Sequence, residues 1–361
     1  MRRQLVKWAS MNIVILITDL EKKKAVHTTI RLARELTNRD HHVWFVTPGD
    51  FSLDPQDKLW MNARRVPKPR YKQSPPYLRD LVENPVREPV KAQDTDLLFL
   101  RDNPSKYDVA GQWARPTGAI FGRLAAKEGV VVVNDPNALA MAVNKLYFQS
   151  FPREVRPMTL ITRNRSEIKD FAQHLKGDMV LKPLQGSGGE GVFLVRKSEH
   201  YNLNQLTDTL AKEGYVIAQE YLPAAVKGDL RIFCMNGEPI QVKGKYAAFQ
   251  RERSGDDIRS NLHAGGTMTA AVVSPTVLKL CELVKPQLVA DGLFLVGLDI
   301  VGDKIMEINL FCPGGIEGME HNEGVNFSRA IAKELESKVE FARAQGRQFC
   351  NRTLATQRCA E

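Results

Sequence analysis

One stretch, FLVGLDIVGDKIMEINL at residues 294–310, constrains the fold of this chain more than any other. Its apolar residues Phe294, Val296, Leu298, Ile300, Met306, Ile308 and Leu310 fall on even positions, whereas Asp299, Glu307 and Asn309 fall on odd ones. Successive side chains of a strand point to opposite faces, so the two arms read as a hairpin with one apolar face and one polar face. A two-residue turn at Gly302-Asp303 would set Asp299 against Met306 and Leu298 against Glu307, which mixes the faces. An odd loop or a bulge at Gly302-Asp303-Lys304 sets Asp299 opposite Glu307 instead. Two carboxylates and an amide oxygen then converge, the hard oxygen donors that suit Mg²⁺ or Mn²⁺. A half-buried hairpin with a solvated polar face is the other reading the pattern allows.

A chain of 361 residues and 40.6 kDa exceeds one ordinary core, so two or three domains are expected. The net charge of +9 admits nucleic acid, a membrane surface or anionic small molecules as partners. The basic residues read as spread along the chain with no recognisable nucleic-acid module, which favours nucleotide phosphates and argues against nucleic acid. Five cysteines, Cys234, Cys281, Cys312, Cys350 and Cys359, form no CxxC pair, so neither a disulfide framework nor a zinc site is indicated and a reducing cytoplasm fits. The apolar run Ile13–Ile17 is too short for a membrane span and reads as the first strand of the fold, after an N-terminal extension over 1–11.

From Asn12 the pattern is strand, helix (28–38), strand (42–47), the opening of a parallel-sheet domain without a GxGxxG fingerprint. Residues 58–91, with six prolines among arginines and lysines, read as a long irregular excursion. A strand over 96–101, a helix over 112–127 and a strand over 130–134 complete a first domain that ends near residue 140. A helix over 137–149 carries Lys145. Next, MVLKPLQGSGGEGVFLVR places Gly186, Ser187, Gly188, Gly189 and Gly191 between two strands. Clustered glycines let backbone N–H groups curl around phosphate oxygens, and Lys182 on the entering strand can reach a phosphate; a flexible turn and one more strand lysine are the plain alternatives. The loop 249–266 holds Arg251, Arg253, Arg259, Asn261 and His263, either an anion clamp or a solvated basic loop. Helices are expected over 275–291 and 326–344, and the tail from Gly346 reads as loosely ordered.

VVVNDPNALAMAVNKLYF, MVLKPLQGSGGEGVF, AQEYLP, RSNLHAGG and VGLDIVGDKIMEIN, in this order, resemble the ATP-grasp ligases and most closely the bacterial glutathione synthetases. The resemblance runs from about Asn12 to Val339. It implies an α/β chain with an ATP-grasp fold, divided into an N-terminal parallel-sheet domain (12–140), a central subdomain (141–222), a catalytic subdomain (223–340) and a basic tail (341–361). It implies ATP as nucleotide, held by Lys145 and Lys182, the glycine loop, and the adenine segment Gln219, Glu220, Tyr221 and Leu222. Asp299, Glu307 and Asn309 match the family's metal ligands; Arg251, Arg259 and Asn261 match its phosphate and substrate groups. The implied reaction joins γ-glutamylcysteine to glycine through an acyl phosphate, in a cytoplasmic homo-oligomer with no membrane or nucleic-acid partner. RSNLH, GDLR and PGGIEGME look equally like the ribosomal-protein glutamate ligase branch, which leaves the acceptor open, and a nucleotide-binding module without catalysis is the further alternative.

Overall fold

The computed structural model describes residues 9–358, except 22–23, 25–26, 109, 187–190 and 253–266. Among the described residues three large sheets follow one another along the chain, beside a two-stranded ribbon of Gln241–Val242 and Lys245–Tyr246. The first has parallel strands Asn12–Leu16, His42–Val46, Leu97–Leu100 and Val131–Val133, with Asn12–Leu16 between His42–Val46 and Leu97–Leu100. These strands are nearly continuous Val, Ile, Leu and Phe because helices cover both faces; Ile13, Ile15 and Leu97 lie on one side of the sheet and Val14, Leu16 and Leu98 on the other.

Segment 58–91 is not an irregular excursion. Leu59–Arg65 and Val86–Lys91 pair antiparallel at the sheet edge, and Ser74–Glu83 between them is a helix that begins with Pro75 and Pro76 in its first turn. Prolines are tolerated at those positions, and Pro89 sits on an edge strand where its missing N–H costs no ladder bond. The predicted helix over 112–127 is a turn at Gln112–Ala114 followed by Thr117–Lys127, and that over 137–149 is Pro136–Met141 followed by a tighter turn at Lys145–Ser150.

The second sheet is a four-stranded antiparallel one, with Val216–Glu220 between Thr159–Thr162 and Met179–Pro183, and Phe193–Val195 outside the latter. Helices Arg165–His174 and Leu203–Ala211 bury its apolar side around Ile168, Met179, Leu181 and Val216. In the third sheet Asp229–Met235 lies between Ala248–Glu252 and Leu295–Val301, and the latter pairs with Lys304–Asn309. GDLR therefore leads into a strand. The tail is ordered: Asn351–Thr356 is a helix, and the Asn351 side chain bonds the N–H (2.8 Å) and C=O (3.0 Å) of Val132 on the edge of the first sheet. Among the described residues no helix is long and apolar enough to cross a membrane.

Candidate active site

The hairpin pairs Gly297 with Asn309, Leu298 with Ile308, Asp299 with Glu307, Ile300 with Ile305 and Val301 with Lys304. Asp299 does face Glu307, although the route differs from the expected one. The turn is the two-residue Gly302-Asp303, and the register slips between Asp299 and Ile300, which leaves Met306 as the extra residue. Ile305, fully buried, thus takes the apolar position expected for Met306, which is only half-buried. The bulge lets the tightest turn coexist with unmixed faces.

Asp299 is almost fully buried, and two arginines hold it. Arg231 donates from Nε and Nη2 to its two carboxylate oxygens, both at 2.6 Å, and Arg251 Nη2 approaches Oδ2 at 2.6 Å. Arg231 is the register partner of Asp299, so the pair is a cross-strand contact. Arg251 also grips Asp229, donating from Nε at 3.0 and 3.1 Å, and those two residues are register partners as well. Asn309 Nδ2 completes the arrangement at 3.1 Å from Asp299 Oδ2. Burial raises the Asp299 pKa, and the two arginines overcome it and hold the carboxyl at about 2. Arg231 and Asp229 carry no role in the sequence reading. Their signal is the GDLR segment, whose alternate charged residues fall opposite Asp299 and Arg251 once the register is known.

Lys182 Nζ donates to Gln219 Oε1 (2.9 Å), whose amide in turn donates to Thr159 Oγ1 (2.9 Å). Lys145 Nζ donates to the carbonyls of Pro183 (3.2 Å) and Gly186 (2.8 Å), at the root of the glycine loop. Burial pulls Lys182 down to about 8; Glu307 opposes the shift and Lys145 adds to it. Burial lowers Lys145 too, again against Glu307. Both ammonium groups and the Glu307 carboxylate therefore share one electrostatic neighbourhood, although Lys145 lies on a helical turn and Lys182 and Glu307 on strands of different sheets. Gln219 and Glu220 close the strand Val216–Glu220, Tyr221 N–H donates to Asp178 O (2.9 Å), and Leu222 precedes the turn Pro223–Lys227. Gly186 and Gly191 have φ of +110° and +69°, conformations that favour glycine. Ser187, Gly188, Gly189, Arg259, Asn261 and His263 lie outside the described residues.

The donor set fits a hard divalent cation: two carboxylates opposed in register with an amide two residues on, all on one face, and lysines nearby for anionic ligands. Among the described residues there is no cluster of three or more His, Cys, Asp or Glu side chains that could hold a metal by themselves.

A sequence-family model described as prokaryotic glutathione synthetase, N-terminal domain, matches residues 11–140, and one described as prokaryotic glutathione synthetase, ATP-grasp domain, matches 144–324. The chain belongs to the prokaryotic glutathione synthetase family. A glutathione synthetase of Brucella melitensis is 32% identical over 86% of this chain and 93% of its own length. One from Vibrio parahaemolyticus is 35% identical over 90% and 96%. Among solved structures, a D-cycloserine synthetase superposes with a TM-score of 0.57 at 15% identity, over 90% of this chain and all of the other. A RimK-domain ATP-grasp protein from Sphaerobacter thermophilus gives 0.54 at 16%, over 88% and 98%. These likenesses establish the ATP-grasp fold, and with it a prokaryotic glutathione synthetase family member is an ATP-dependent ligase acting on small molecules.

Proposed function

We propose that the chain synthesises glutathione, joining γ-glutamylcysteine to glycine at the expense of ATP, with Mg²⁺ or Mn²⁺ at Asp299, Glu307 and Asn309. The observation that carries the site assignment is the register that sets Asp299 opposite Glu307 within electrostatic reach of Lys145 and Lys182.

A carboxylate is a poor acylating agent at neutral pH. Attack of the dipeptide carboxylate on the γ-phosphorus of ATP releases ADP and leaves an acyl phosphate; the glycine nitrogen then attacks its carbonyl and phosphate leaves. Charge accumulates on phosphate oxygens throughout, so the chain's main tasks are positioning and neutralisation. Lys145 and Lys182 hold the nucleotide phosphates, and the segment from Gln219 to Leu222 receives the base. A divalent cation bound by Asp299, Glu307 and Asn309 would offset phosphate charge. Arg231 and Arg251 keep Asp299 ionised and fixed, and Arg251 and Arg259 face the developing charge. The glycine loop Gly186–Gly191, including Ser187, Gly188 and Gly189, covers the phosphates and excludes water from the acyl phosphate. By the family resemblance Asn261 is assigned to the substrate together with Arg259.

The test is ADP release with Mg²⁺-ATP, with product identified by mass. Release that requires both γ-glutamylcysteine and glycine is expected; release only with glutamate and a peptide acceptor would move the chain to the RimK-type ligases, and none with any pair would leave a binding module.

A further inference from the structure

The second sheet has two unlike faces. Met179, Leu181, Val195, Val216 and Ala218 pack toward helices Arg165–His174 and Leu203–Ala211. The alternate residues Val180, Lys182, Ile217, Gln219 and Thr159 share the opposite face. Gln219 is the register partner of Thr159 on one side and of Val180 on the other, and Lys182 lies across from Ile217. Lys182 and Gln219 are thus diagonal neighbours, the spacing at which long side chains meet across a sheet.

Three side chains on that face form a hydrogen-bonded row with one allowed direction. Thr159 Oγ1 donates to the Pro157 carbonyl at 2.9 Å, and a hydroxyl has a single hydrogen to give. Its oxygen must then accept, and Gln219 Nε2 donates to it at 2.9 Å. The other end of the amide, Oε1, is left facing Lys182 Nζ at 2.9 Å. Exchanging the two ends of the amide would set N–H against ammonium and oxygen against oxygen, so one backbone carbonyl dictates the polarity of the whole row. Gln219 is 2% exposed, and solvent does not compete for it. Among the described residues this is the one hydrogen bond of the Lys182 ammonium, which forms no ion pair. Two of its three N–H groups remain for a ligand. The charged groups that act on it are Glu307, from the third sheet, and Lys145, from the turn Lys145–Ser150.

We propose that Thr159 and Gln219 are positioning residues for the nucleotide: the row that starts at the Pro157 carbonyl fixes the Lys182 ammonium, with two N–H groups unspent, where it meets the phosphates of ATP. This rests on the ATP reading of Lys182 above. Within the segment that receives the base, the Gln219 side chain thus acts through Lys182. Its amide oxygen favours ammonium over neutral amine and so opposes the burial that pulls Lys182 down to about 8.

The test is titration calorimetry of Mg²⁺-ATP on the full chain, across the neutral and alkaline range. Gln219→Met should raise the Kd roughly 10-fold, the range for a lost hydrogen bond to a charged group, and the alkaline decline of affinity should begin at lower pH. Gln219→Glu should move that decline to higher pH, because a carboxylate holds the ammonium charged. Thr159→Val, which frees the amide to turn, should weaken binding about threefold with the same sign of pH change, and Thr159→Ser should restore the wild-type profile. Combined with Lys182→Met, Thr159→Val should change the Kd by less than about twofold, since its effect passes through the missing ammonium. Gln219→Met replaces Thr159→Val in that cycle if the latter does not fold. A lowered thermal midpoint with ATP affinity and pH profile unchanged would reduce the row to a fastener between strands and overturn the inference, as would full additivity with Lys182→Met. Either of those results in a protein that binds ATP sinks this inference alone; no ATP binding by the wild type would sink the functional reading with it.

Discussion

The two carboxylates on the hairpin have different jobs. Asp299 is the shared counter-ion of Arg231 and Arg251, whereas among the described residues Glu307 makes no ion pair and meets only the fields of Lys145 and Lys182. Asp299→Ala should therefore abolish turnover and also destabilise the fold, by about 3–5 kcal/mol for a broken buried ion pair. Glu307→Gln isolates the metal role: turnover should drop at least about 100-fold while the thermal midpoint barely moves. Normal turnover by Glu307→Gln would refute the metal assignment. Lys182 gives a pH signature. With its pKa at about 8 in the free protein, its charge is present below that value and lost as pH rises through it. Bound phosphates favour the charged form, so ATP affinity should decline above about pH 8, and binding near pH 9 should take up a proton. Titration calorimetry in two buffers of different ionisation heat reads both, and Lys182→Met should flatten the profile.

At the scale of elements, the tail acts as a clasp. Lys338 is fully buried on helix Phe327–Ala344 and donates to the carbonyls of Leu354 (3.3 Å) and Gln357 (2.7 Å), while Thr356 Oγ1 reaches Val289 O at 3.1 Å. Asn351 closes the edge of the first sheet, and Asp135 N–H bonds Gly292 O beside it. Deleting residues 346–361 removes these acceptors from around a buried ammonium and should cost about 2–5 kcal/mol, visible as a lowered midpoint in thermal unfolding. An unchanged midpoint would show the clasp to be dispensable. Composition hid this clasp, because a polar, basic stretch looks solvated until its partners are known. The same blindness affected segment 58–91, where prolines read as an irregular excursion although several occupy a helix's first turn and an edge strand, the positions where proline does little harm.

At the scale of the whole molecule the positive charge is not evenly spread. Residues 58–91 carry nine Lys and Arg against three Asp and Glu, a net +6 out of +9, on the edge ribbon and its helix rather than at the candidate site. At the site Arg231 and Arg251 pair with Asp299 and Asp229, whereas among the described residues the buried Arg101 has no ion-pair partner. Alternation of apolar and polar residues was enough to read off the hairpin, because burial of one face leaves a period of two in the sequence itself, whereas the parallel strands of the first sheet read as continuous apolar runs. The proposed ligands Asp299, Glu307 and Asn309 and the lysines Lys145 and Lys182 were singled out as motifs, since each lies within a short stretch of fixed spacing, and the structure brings them into one neighbourhood. What only the tertiary structure decided is how strands stand beside one another: that Arg231 and Arg251 clasp Asp299, that Met306 is the bulge which sets Glu307 across from it, and that Arg101 is buried with no ion-pair partner among the described residues. The arginine contacts depend on strand order and register across long stretches of chain, 68 residues between Arg231 and Asp299 and 48 between Arg251 and Asp299, and no local pattern encodes them.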